Sequence, residues 1–136
     1  MVGIAASGRT PYVLGAVAKA KSLGGITCGI SCTPDSELSL AVDFPIEPKP
    51  GPEVLAGSTR LRAGTATKLV LNIFTTVAMV RLGKVAGNLM VDLNPSNVKL
   101  RDRAVRIVRE LTGVDDATAR TRLEKAGWVV KRALGK

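Results

Sequence analysis

Four prolines, Pro45, Pro48, Pro50 and Pro52, fall within eight residues, and neither a helix nor a central strand can run through them. Each ring locks φ and removes a backbone donor. The stretch therefore reads as an extended loop that breaks the chain. Before it, the hydrophobic period switches repeatedly. Met1–Ala6 reads as a short apolar strand. Pro11 opens a helical pattern to about Leu23, with Val13, Leu14, Val17, Ala18 and Ala20 on one face, and Gly24 and Gly25 end it. Ile26–Ser31 reads as a second strand. The turn Thr33-Pro34-Asp35-Ser36 leads to a short helix, Glu37–Ala41, and Asp43–Glu47 reads as a third strand.

Strand, helix and strand in this order predict parallel strands joined by a right-handed crossover. Three parallel strands make a thin sheet, and such sheets are normally covered on both faces. The first strand begins at residue 1, so the expectation is that further sequence would complete the layer. After the prolines, Ser58 or Thr59 is the expected N-cap of a long helix, about Leu61–Leu82. Gly83–Leu93 is expected as a loop, and Asn94 or Ser96 as the cap of a basic helix ending near Gly113. Helices near Asp115–Lys125 and Val129–Leu134 complete a small three-helix unit. The fold class is thus α/β, a parallel-sheet part over residues 1–93 followed by a small helical domain over 94–136.

Composition narrows the function classes. Aromatic residues are 3% of a chain that is 46% hydrophobic, so aliphatic side chains must fill the core, as suits an α/β layer structure. The net charge of +9 is uneven: residues 97–136 hold 11 Lys and Arg against 5 Asp and Glu. Such a tail attracts nucleic acid or another anion, or is a solvated helix surface. Trp128 is its sole aromatic residue, so interleaved stacking platforms for single strands are missing and the solvated surface is preferred. Cys28 and Cys32, with no histidine in the chain, make neither a zinc site nor a disulfide framework; they read as buried free thiols in a reducing cytoplasm. No uninterrupted apolar run of about 20 residues suggests a membrane span, and the first residues lack a signal peptide's charged region.

Two segments carry candidate chemistry. Ser7, Gly8, Arg9 and Thr10 lie between the first strand and the helix opened by Pro11. Unpaired amides and the macrodipole make a helix start electropositive, hydroxyls and a guanidinium add donors, and glycine permits close approach. A bound phosphate and a simple capped turn both fit. The second segment, Gly51–Thr65, gathers Ser58, Thr59 and Arg60 before the long helix, with Glu53 its one carboxylate. Glu53 could orient a sugar hydroxyl, but proton transfer would need burial to raise its pKa; a solvated loop glutamate is the preferred reading.

The run Val2–Tyr12, the run Gly29-Ile30-Ser31-Cys32, the stretch Gly51–Lys68, the segment Gly83–Asp92 and Lys99-Leu100-Arg101-Asp102-Arg103 together resemble N-acetylmuramic acid 6-phosphate etherases. The glucokinase regulatory protein is similar around Gly57-Ser58-Thr59-Arg60. Arg62 stands where the family usually has Lys, and Thr67 where it has Gln or Ser. The resemblance implies a SIS fold, an αβα sandwich around a parallel sheet with helices after it. It implies a sugar-phosphate ligand, no metal or other cofactor, and elimination of the D-lactyl ether followed by addition of water. Ser7, Gly8, Arg9 and Thr10 match one family ligand loop, and Ser58, Thr59 and Arg60 another.

The family's Gly-rich phosphate loop and its two proton-transferring glutamates precede the strand that begins here. No catalytic residue is therefore assigned, and Glu37, Glu47 and Glu53 are not substitutes. The resemblance implies a cytoplasmic protein of cell-wall sugar recycling, inactive as this chain alone and paired with a second copy or a partner supplying the upstream SIS half. A non-catalytic phosphosugar sensor is the alternative.

Overall fold

The computed structural model describes residues 1–135 and divides the chain into two compact units, Met1–Thr75 and a second beginning at Thr76. In the first, strands β1 (Val2–Ile4), β2 (Cys28–Ile30) and β3 (Phe44–Ile46) form a parallel sheet in the order β1-β2-β3. Helices α1 (Pro11–Ser22) and α2 (Glu37–Ala41) connect them. The strand–helix–strand order and the parallel pairing agree with the sequence expectation, although each strand is shorter at both ends. β3 contains Pro45, which a central strand would not tolerate; here it lies on the sheet's edge, where the missing amide needs no partner.

Side chains alternate across the strands, so Gly3, Gly29 and Pro45, matched in register, share one face. α1 and α2 lie directly on it. A Cβ on Gly3 would stand 2.9 Å from both Val13 and Val17, and one on Gly29 would stand 3.0 Å from Leu38. The absent side chains let helix and sheet approach, and Val17, Leu38, Val42 and Ala5 form the core between them. The opposite face carries Ile4, Ile30 and Phe44. Ile30 is buried, but Ile4 and Phe44 remain 41% and 61% exposed.

Pro11 sits in the first turn of α1, and the chain leaves at Leu23, whose amide donates to the carbonyls of Lys19 and Ala20. Helix α3 (Arg62–Arg81) contains the unit boundary. By length and mean hydropathy it passes the test for a membrane-crossing helix, which amends the sequence reading that no segment comes near one. Polar residues within it, Lys68 and Asn72 among them, interrupt its apolar run. Its Leu69, Ile73, Phe74, Val77 and Val80 are exposed.

In the second unit the expected loop at Gly83–Leu93 is instead a hairpin. β4 (Val85–Ala86) pairs antiparallel with β5 (Leu89–Met90) through a turn at Gly87-Asn88. The glycine-containing two-residue connection was the available signal; strands of two residues were too short to show alternation. Val91 anchors the hairpin in the helical core. Helices α4 (Val98–Thr112), α5 (Asp116–Lys125) and α6 (Val130–Ala133) follow, as expected. The cap of α4 is Asn97, whose Oδ1 accepts from the Leu100 amide at 2.9 Å, not Asn94 or Ser96. Only Asn97 immediately precedes the first helical residue, the position from which a side chain reaches the third residue's amide. Ala104, Val105, Ile107 and Val108 of α4 pack with Ala119, Leu123, Val130 and Ala133. Gly113, in the left-handed region, ends α4.

Candidate functional site

Strands of a parallel sheet all point their carboxyl ends to one edge, and the loops leaving that edge are the usual place for a ligand. Here those loops are stitched together. The Cys32 amide donates to the Ala6 carbonyl at 3.0 Å, and the Thr33 hydroxyl donates to the same oxygen at 3.3 Å. The Leu38 amide donates to the Gly8 carbonyl at 2.9 Å. After β3, a Glu47 oxygen accepts from the Asp35 amide at 2.8 Å. Hydrogen bonds from Ser39 and from that amide hold the Glu47 carboxyl below its ordinary range.

Gly8 is the tightest point. Its φ is +66°, and a Cβ there would lie 2.1 Å from the Ser36 Oγ and 2.8 Å from the Ser31 Oγ. Beside it Ser7, Arg9 and Thr10 are exposed. Thr10 occupies the N-cap position of α1, yet its side chain makes no cap hydrogen bond; its carbonyl accepts from Val13 and Leu14. The α1 start is thus closed by the Thr10 carbonyl and not by its hydroxyl. Pro11 has no amide proton, so the first turn of α1 presents one helix amide fewer.

The second segment is built differently from expectation. Neither Ser58 nor Thr59 caps α3, because the helix starts only at Arg62. Glu53 takes that role: its two oxygens accept from the Arg62 amide at 2.9 Å and the Ala63 amide at 3.0 Å. Those two bonds, the Ala63 bond first, hold its carboxyl below the ordinary range. Glu53 is therefore a helix cap and not a free loop glutamate; it fills the place an anion would take at this helix start. Ser58 is half-buried and its amide donates to Leu55 at 3.0 Å, while Thr59 and Arg60 are exposed. A cavity of about 480 Å³ at the start of α3 is lined by Pro50, Leu61, Arg62, Thr65, Ala66 and Leu69, and not by the expected residues.

Cys32 links the two segments. Besides its amide bond to Ala6, its sulfur lies 3.7 Å from the Ala63 carbonyl and 3.8 Å from the Thr67 hydroxyl. Ser7–Thr10 and Ser58–Arg60 are thus joined indirectly, each a few residues from a group that touches Cys32. Ser31 and Ser36, which crowd Gly8, and Ser39, which bonds to Ser36, have spacing that does not distinguish them from turn residues. Cys28 and Cys32 are free and half-buried rather than fully buried, and partial burial pushes the Cys28 thiol up.

Among curated proteins, N-acetylmuramic acid 6-phosphate etherases of Rubrobacter xylanophilus and Gloeobacter violaceus are each 58% identical to this chain over 98% of its residues. That of Serratia proteamaculans is 56% identical over the same share. The chain spans 44%, 44% and 45% of the lengths of these relatives, respectively. The family model for the C-terminal lid domain of glucokinase regulatory protein matches residues 87–133, from the hairpin turn to α6. Over nearly its whole length, then, the chain is a relative of the N-acetylmuramic acid 6-phosphate etherases and corresponds to less than half of one.

Proposed function

We propose that this chain is the phosphosugar-binding portion of a cytoplasmic etherase, a carbon–oxygen lyase acting on N-acetylmuramic acid 6-phosphate, with the parallel-sheet unit forming part of a SIS-type fold. One observation carries the reading: the loops after β1 and β2 meet at the carboxyl edge of a parallel sheet, and Cys32 ties them to the start of α3. Ser7, Thr10, Ser58 and Thr59 supply hydroxyls for a phosphate or sugar oxygen. Arg9 and Arg60 supply charge, and Gly8 lets the backbone come close. Arg prefers planar oxyanion acceptors that it can meet with two N–H groups.

The reaction removes the D-lactyl ether by elimination and then adds water, giving N-acetylglucosamine 6-phosphate and D-lactate. A proton donor for that chemistry wants a carboxyl with a raised pKa, whereas Glu47 and Glu53 are displaced downward by the amides they accept from. In this reading the acid and base come from outside this chain, which alone is inactive. A partner supplying the upstream half of the sheet, or a second copy, completes the site. The exposed Ile4 and Phe44 on a parallel sheet that has helices α1 and α2 on its other face support that arrangement.

Titration of the chain with N-acetylglucosamine 6-phosphate, followed by amide resonances, tests the binding half. Shifts at Ser7–Thr10 and at Ser58–Arg60 are expected, and silence at both removes the proposal. D-lactate release on mixing the chain with the upstream half of a relative tests the lyase half. The match to a lid domain of a regulatory protein favours a second reading, a phosphosugar sensor. Ligand shifts without any lactate from the completed assembly would select it.

A further inference from the structure

Trp128 has a φ of +62°, and Asp35 is the only other non-glycine residue with positive φ among the described residues. Bulky side chains avoid this region, and where one is held there the surroundings must over-determine it. The preceding Gly127 is left-handed too, and the Trp128 amide donates to the Leu123 carbonyl at 2.7 Å to close the end of α5. A second glycine would make this turn without strain. Instead the indole packs partly against the helical core, and the Arg101 guanidinium lies over its ring, 4.9 Å from the centroid.

Arg101 has no carboxylate within ion-pair distance among the described residues. The nearby acids are engaged: Asp102 with Arg120 at 3.8 Å, and Asp92 with both Lys84 and Lys131. Arg101, Trp128, Asp92 and Asn94 line an open cavity of about 540 Å³. Arg101 and Asp92 are its charged lining residues, and Asp92 is already paired with Lys84 and Lys131. Stacking on indole holds the guanidinium flat while leaving the N–H groups at its rim for an acceptor. Part of the ordering cost of binding is thereby met in advance.

We propose that Arg101, held on the strained Trp128, is an anchor for a dianionic phosphate group entering this cavity, with the Asn94 amide as a second donor. The site lies wholly in the second unit and does not depend on the loops around Gly8 and Ser58. A phosphate ester and free phosphate present the same chemistry, and the titration below separates them.

Trp128 is the only tryptophan in the chain, so its emission reports on this cavity alone. The 136-residue chain would be titrated at constant ionic strength with inorganic phosphate, with glucose 6-phosphate and with chloride. The expected result is a saturable change in Trp128 emission, with shifts of the Arg101 Nε–H and Trp128 indole resonances. Equal affinity for both phosphates means the group alone is recognised; tighter binding of the ester means the sugar contributes. Arg101→Gln should weaken binding at least tenfold and Arg101→Lys less so, while Ser7→Ala and Ser58→Ala leave the Trp128 response unchanged. A response no different from that to chloride, shifts centred elsewhere, or unaltered binding by a folded Arg101→Gln protein would overturn the assignment.

Discussion

The Cys32 sulfur lies 3.7 Å from the carbonyl oxygen of Ala63, joining the loop after β2 to the first turn of α3. The same turn is held from the other side by Glu53, nine residues before Arg62. The start of α3 is thus fixed by two side chains from outside the helix, and this positions the segment containing Ser58, Thr59 and Arg60.

Glu53→Gln should loosen that turn. Glutamine keeps an acceptor but loses the charge that favours a helix N-terminus and half of the paired oxygen geometry. Faster hydrogen exchange at the Arg62 and Ala63 amides, with the exchange of α1 unchanged, is the expected readout. The wild-type protein should show the same loosening as acid protonates Glu53. Its folded pKa is lowered, so the stabilisation is present above the ordinary glutamate pKa and is lost as pH falls through the lower, folded value.

Asp43 provides a second acid-sensitive contact, between the start of β2 and the start of β3. Its carboxylate accepts from the Thr27 hydroxyl at 2.7 Å and the Thr27 amide at 2.8 Å, with Lys21 at 3.1 Å. These contacts, the Thr27 hydroxyl first, bring its pKa down to about 2. The stabilisation is therefore complete above the unfolded-state value near 4 and disappears as pH falls toward 2. Denaturation midpoints measured from pH 5 to pH 2 should fall less steeply for Asp43→Asn than for wild type.

Gly8 and Gly15 should respond oppositely to alanine. At Gly8 the new Cβ would collide with Ser36 at 2.1 Å in a positive-φ conformation, so Gly8→Ala should cost at least about 1–3 kcal/mol and displace the loop. At Gly15, inside α1 with nothing within 4 Å of the added atom, Gly15→Ala should stabilise by roughly 0.5–1 kcal/mol. Urea denaturation of the two variants decides the matter.

Leu123 is fully buried among the helices of the second unit. Leu123→Ala removes its methyl groups and leaves a cavity, a change that costs about 2–5 kcal/mol. In a unit this small, that is a large share of its stability. Amide resonances from α4 to α6 should lose dispersion, while those of β1 to β3 are retained.

Patterns within a few residues of one another determined much of this protein. Pro11 and the Gly24-Gly25 pair bracket α1, Gly113 ends α4, and the switch from strand to helical period placed the first three strands in order. These rest on φ restrictions and side-chain spacing, which act locally and are written in neighbouring residues. The Asn97 cap of α4 and the Val85–Met90 hairpin are also local, but competing cap residues and two-residue strands masked them; only the tertiary structure decided that Glu53, nine residues ahead of Arg62, caps α3. It also brought Ser31 and Ser36 beside Gly8, joined Glu47 to the Asp35 amide, and set Arg101 on Trp128 from 27 positions away. A hydrogen bond or a stacked pair between distant residues leaves no period in the sequence, because chain folding, and not spacing, brings its partners together.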